Sequence, residues 1–126
     1  MDYFAPVDEM LFQLEHICNV NELQSYNKYE NLDYATIKTI LEEVAKLSSK
    51  SIAPLNRVGD VVPPKKEKDG VACPPEFIKA YEEISSGGWV GMSGGQRYGG
   101  MDLPLVITSC VNEMLSSACL SLALNP

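Results

Sequence analysis

Residues 87–126 read GGWVGMSGGQRYGGMDLPLVITSCVNEMLSSACLSLALNP. Seven of the chain's nine glycines lie between Gly87 and Gly100, beside its only tryptophan, Trp89. A run so rich in glycine predicts a loop that needs positive φ or close approach of its own backbone. Beyond Pro104 the single charge is Glu113. The spacing there predicts a helix from residue 103 or 104 to about 124, roughly 30 Å long at 1.5 Å per residue. Its polar members, Thr108, Ser109, Asn112, Glu113, Ser116, Ser117 and Ser121, are mostly small. Apolar residues cover the rest of the circumference, so burial on more than one side is expected. The length also suits a membrane span. Asn112 and Glu113 at its middle, and the absence of Lys or Arg at its C-terminal end, argue against one.

Upstream, shorter and more polar segments are available to cover that helix. Pro6, Asp8 and Glu9 form a helix start, and Met10, Leu11, Leu14, Ile17 and Cys18 recur at helical spacing, predicting a helix over residues 7–20. Residues 21–32 read as a loop. Asp33 is a suitable N-cap for a second helix with the stripe Ile37, Ile40, Leu41, Val44, Leu47 and Ile52. Glu42 stands four residues before Lys46, a supportive pair. Pro54 is expected to bend or end this helix, and Gly59 to stop its last turn. Residues 60–75 form a connection with a turn at Asp69–Gly70 and a short strand at Val71–Cys73. Pro74 and Pro75 open a third helix with Phe77, Ile78, Tyr81 and Ile84 on its stripe, and Gly87 and Gly88 end it. The fold class is therefore all-α: a bundle or array of about four helices, with a glycine-rich loop before the last.

Composition narrows the function. The chain has 126 residues, 45% hydrophobic, which suits one folded domain. A net charge of −7 argues against nucleic acid and against anionic membranes. Lys65, Lys66 and Lys68 are interleaved with Glu67 and Asp69 and read as a solvated loop. Cys18, Cys73, Cys110 and Cys119 make no C-x-x-C pair, so a reduced, cytoplasmic chain without disulfide or zinc is expected. Asp2 follows Met1 and no basic-then-apolar start exists, so no secretory leader is expected. The lone histidine, His16, supports neither a His-based metal cluster nor a catalytic triad.

The glycines do not match a phosphate loop: there is no Gly-Lys-Ser/Thr, and no strand precedes a G-x-G-x-x-G helix start. Glu42/Glu43 and Glu82/Glu83 are adjacent in sequence and point apart on a helix, so they read as solvated. Glu113 is the one acid in an apolar helix. If desolvated its pKa would rise toward that of a general base; the alternative is a helix residue paired with Arg57, Arg97 or a lysine.

Taken together, Gly87-Gly88-Trp89-x-Gly91, Arg97-Tyr98-Gly99-Gly100-x-x-Leu103-Pro104 and Asn112-Glu113-Met114-Leu115-Ser116-Ser117-Ala118 resemble the N-terminal domain of the acyl-CoA dehydrogenase family. Ile52-Ala53-Pro54-Leu55-Asn56-Arg57-x-Gly59-Asp60, Asp69-Gly70-Val71 and Pro74-Pro75-x-Phe77-x-x-Ala80-Tyr81 extend the likeness upstream. Tyr3-x-Ala5-Pro6-x-x-Glu9-Met10-x-Phe12 is similar to the start of the 3-methylmercaptopropionyl-CoA dehydrogenase-like branch, which has an extra N-terminal helix. The resemblance implies an extension over residues 1–32 and the family's helical domain over 33–126. It implies an FAD-dependent oxidoreductase that introduces an α,β double bond into an acyl-CoA thioester. In that reaction a carboxylate takes the α-proton and the flavin accepts hydride.

The chain stops at Pro126. By the resemblance, that is before the middle domain that holds most of the FAD contacts and before the catalytic glutamate. It therefore implies no catalytic residue within this chain, and no bound FAD for the chain by itself. The family's Glu-Glu-Leu element is only half kept, with Asn112 in its first position. Carried over by position, the resemblance makes Ala118, Cys119, Leu122 and Pro126 candidates for the floor of the acyl-chain pocket, ordinary core packing being the alternative. The residues leave two readings open: a dehydrogenase domain, or a stand-alone helical module that binds a partner without catalysis. In both, self-association, or packing of the missing domains, through the last helix is expected.

Overall fold

A computed structural model describes residues 2–124, and the elements follow the predicted order with shifted ends. Helix α1 spans Val7–His16 and buries Met10, Leu11 and Leu14. It is shorter than expected. Asn19 adopts a left-handed conformation at φ 49°, which Asn tolerates, and turns the chain into 3-10 turns at Val20–Ser25 and Asn27–Tyr29. Helix α2 spans Tyr34–Leu47, and the Asp33 side chain accepts from the Thr36 N–H, as its N-cap role requires. Lys46 bonds Glu43 at 2.6 Å, not Glu42, whose partner is Lys38 at 3.8 Å.

Pro54 neither ends nor breaks the helix. The turn Ser48–Ile52 widens to π geometry, with the Ala53 N–H reaching back to the Ser48 carbonyl, and α3 continues over Ala53–Val61. Proline has no N–H and its ring crowds the carbonyl four residues back. A π turn is a known way of absorbing such a break in the helical register. Gly59 is likewise inside α3, not its stop. Its missing side chain makes room for the Phe77 ring, which an added Cβ would meet at 2.9 Å.

Strands β1 (Lys65–Glu67) and β2 (Gly70–Ala72) form a small antiparallel hairpin pairing Lys66 with Val71. Helix α4 spans Pro75–Ser86 and buries Ala80 and Ile84.

The last helix differs most from expectation. Helix α5 covers Leu105–Ala118, the backbone extends at Cys119 (φ −157°, ψ 97°), and α6 runs from Leu120 to Ala123. Small polar side chains offer the backbone alternatives to a continuous helix here. The Ser117 hydroxyl donates to the Glu113 carbonyl at 2.6 Å, and Cys119 Sγ lies 3.3 Å from Ser121 Oγ. The break lets α6 fold back against α3. The buried core joins Ile107, Val111, Met114 and Ala118 of α5 to Ile37, Leu41 and Val44 of α2, and Met10, Leu11 and Leu14 of α1 belong to the same cluster. Mostly helical, with one minimal hairpin, the fold is of the all-α class.

Candidate functional site

The glycine-rich loop is organised by its own backbone. The Gly94 N–H donates to the Gly91 carbonyl (2.9 Å), Gly99 to Gln96 (2.9 Å), Gly100 to Gly95 (3.2 Å), and Asp102 to Gly94 (2.9 Å). These amides are spent within the loop, so they do not fit the phosphates of a dinucleotide. The expected need for special backbone geometry divides between two neighbours. Gly99 stands at φ +85°. Gly100 lies directly on the Gly94 carbonyl, where a Cβ would overlap backbone atoms.

The loop is fastened at Asp102, a residue that sequence reasoning passed over. Asp102 sits at φ 55°. One carboxylate oxygen meets Lys28 Nζ at 2.8 Å, and the other accepts from the Gln96 N–H at 3.0 Å. The Lys28 bond, then the Gln96 bond, holds the Asp102 pKa below its ordinary 3.8, and Asp102 raises that of Lys28 above its ordinary 10.5. The depressed carboxyl contributes stability above pH 3.8 that is lost as pH falls through its lower folded value. The raised ammonium contributes stability below 10.5 that is lost as pH rises through its higher folded value. Between these limits, Asp102→Asn should melt at lower temperature than the parent. Below pH 3.8 the difference should shrink; thermal melts across the acid range check this, and a constant difference would contradict it.

Glu113 faces solvent, so the buried-acid reading does not apply; its alternative, an ion pair with Arg57, Arg97 or a lysine, does not form among the described residues, Arg57 being paired with Asp60 at 2.7 Å. His16 is exposed on α1, its ring 4.8 Å from that of Phe12. Among the described residues all four cysteines are free, and no cluster of metal-ligating side chains exists.

The four acyl-floor residues fall differently. Ala118 and Cys119 are buried at the junction of α5 and α6. Leu122 is also buried, yet it lines an apolar groove of about 420 Å³ together with Cys73, Phe77, Ile78 and Tyr81. Pro126 lies outside the described residues. The expected α4 stripe is split. Ala80 and Ile84 go inward, while Ile78 (55% exposed) and Tyr81 (40%) remain at the surface as the groove's wall. The expected stripe was Phe77, Ile78, Tyr81 and Ile84; of these only Ile84 is fully buried, and Ala80, outside that stripe, takes the other inward place.

In sequence, the chain resembles acyl-CoA dehydrogenases. Over its whole length, the chain is 30% identical to 3-methylmercaptopropionyl-CoA dehydrogenase of Ruegeria pomeroyi, covering 21% of that protein. Over 118 residues, 92% of the chain, it is 24% identical to a broad-specificity linear acyl-CoA dehydrogenase of Mycobacterium tuberculosis, covering 19% of that protein. The chain thus spans about a fifth of the length of these curated relatives. No protein-family model matches it. Among the described residues no helix is long and apolar enough to cross a membrane.

Proposed function

We propose that the chain is the N-terminal helical domain of an FAD-dependent acyl-CoA dehydrogenase, residues 1–32 being an extension and 33–126 the domain proper. Its part in the reaction is to support the acyl tail of an acyl-CoA and to pack against the flavin-binding and catalytic segments. The observation that carries this reading is the apolar groove at Leu122, next to the α5–α6 break, in a chain similar to dehydrogenases over its whole length. Apolar concave lining is what an acyl tail requires. Flavin chemistry belongs to the other segments, since the loop amides here are committed to one another. On this reading the chain purified alone is colourless and does not oxidise acyl-CoA.

Calorimetric titration with saturated acyl-CoAs from butyryl to decanoyl tests the groove. Each buried methylene contributes about 0.8 kcal/mol, so affinity should rise by up to about fourfold per methylene until the groove is filled. Ile78→Lys, at an exposed position of the groove wall, should weaken the chain-length dependence. Affinity independent of tail length in the parent would show that only the CoA moiety, or nothing, is bound.

A further inference from the structure

We infer that the N-terminal extension is a clasp laid antiparallel along α5, and that Tyr3 is its positioning residue at the end of α5 that carries the acyl-floor candidates Ala118 and Cys119. Three pairs of neighbours fix the direction. Lys28, late in the extension, bonds Asp102 at 2.8 Å, just before α5 begins at Leu105. Burial, then the charges of Glu113 and Cys18, raise the Cys110 pKa above its ordinary 9.0, which places Cys18 near the middle of α5. Burial raises the Tyr3 pKa above its ordinary 10.0 and the Ser117 hydroxyl opposes that rise, so Tyr3 is a neighbour of the last turn of α5. As the extension advances from Tyr3 to Cys18 to Lys28, its partners retreat from Ser117 to Cys110 to Asp102. Between these points Met10, Leu11 and Leu14 of α1 share the buried core with Ile107, Val111 and Met114 of α5.

The Tyr3 end meets α5 through a buried group. The Tyr3 hydroxyl oxygen is sealed from solvent and makes no hydrogen bond of good geometry. A buried hydroxyl without a partner is costly, so its proton needs an acceptor. Ser117 supplies one. Its own proton goes to the Glu113 carbonyl at 2.6 Å, which leaves the lone pairs of Ser117 Oγ to accept. Once the two side chains close on each other, Tyr3 donates to Ser117 and Ser117 to Glu113, each bond polarising the next. That chain ties the extension to the turn immediately before the break at Cys119. The Lys28 end differs. It is a partly exposed ion pair that fastens the glycine-rich loop, at the other end of α5 from Ala118 and Cys119. The clasp stands on these contacts alone; its consequence for an acyl tail rests on the acyl reading.

Thermal melts and acyl-CoA titrations of the full chain test this. Tyr3→Phe and Ser117→Ala should each lower the melting temperature. The double variant should melt no lower than the worse single one, because both changes remove the same bond. Additive losses, or a Tyr3→Phe variant as stable as the parent, would overturn the clasp at this end. Only a long tail reaches the floor, so Tyr3→Phe should weaken decanoyl-CoA binding by about fivefold, the weight of one neutral hydrogen bond, and leave butyryl-CoA unchanged. Lys28→Ala is the comparison: it should lower the melting temperature without changing the dependence on tail length. If Lys28→Ala weakens decanoyl-CoA binding as much as Tyr3→Phe does, Tyr3 acts through stability alone and its positioning role fails. If the parent shows no dependence on tail length, the acyl reading fails, while the paired melts still decide the clasp.

Discussion

Gly100→Ala should destabilise the protein by about 3 kcal/mol, the upper end of what overpacking a tight site costs. The added methyl would overlap the Gly94 carbonyl and approach the Gly91 carbonyl oxygen to 2.7 Å. These are backbone atoms held by the loop's internal hydrogen bonds, including Asp102 N–H to Gly94 and Met101 N–H to Gly91, so no side-chain rotation relieves the contact. Gly99→Ala is the control. Its Cβ would meet nothing within 4 Å, but φ is +85°, and left-handed backbone costs a non-glycine residue about 1–2 kcal/mol. Denaturant midpoints should therefore order as parent, Gly99→Ala, Gly100→Ala. Equal loss at both sites would mean that the loop shifts around Gly100 and that close approach there costs no more than the left-handed backbone at Gly99.

Leu41→Ala should cost about 2–5 kcal/mol, the usual range for emptying a buried leucine site. Leu41 is 0% exposed on α2 and shares the core with Ile107, Val111 and Met114 of α5, themselves fully enclosed. Neighbours pinned on several helices have little freedom to collapse into the space. A domain with only about 5–15 kcal/mol of stability would lose a large part of it. Ile78→Ala, at a half-exposed position of comparable size, should stay within about 0.5 kcal/mol in dilute solution. A small effect at Leu41 would place the core elsewhere than the α2–α5 contact.

Much of the fold was legible because its signals are local. Asp33 caps α2 and Pro75 opens α4, each through chemistry within a few residues; a hairpin forms where Asp69-Gly70 was expected to turn the chain, but the turn residues are Lys68 and Asp69, and Gly70 already pairs with Glu67 in β2. Proline and glycine misled where tertiary packing changed their meaning. Pro54 is accommodated by a π turn packed on α5, and Gly59 yields space to Phe77 from another helix. The break at Cys119 was hidden in an apolar run without proline or glycine; only the density of Ser and Cys beside it gave a hint. That break decides the candidate site. Leu122, three residues past the break, lines the groove with Ile78 and Tyr81. Asp102 was missed for a related reason: its partners Lys28 and Gln96 come from a distant turn and from its own loop, and no sequence spacing joins all three.

The claim that this chain is a working acyl-CoA dehydrogenase domain is tested most directly by exchange. The segment it matches in the Ruegeria pomeroyi enzyme would be replaced by this chain, and the chimera assayed for bound flavin and for acyl-CoA oxidation. The account predicts a yellow protein that oxidises acyl-CoA, and weaker oxidation of long-tailed substrates on introducing Ile78→Lys at the groove wall. A chimera that folds and holds flavin, yet fails to oxidise any acyl-CoA the parent enzyme accepts, would contradict it.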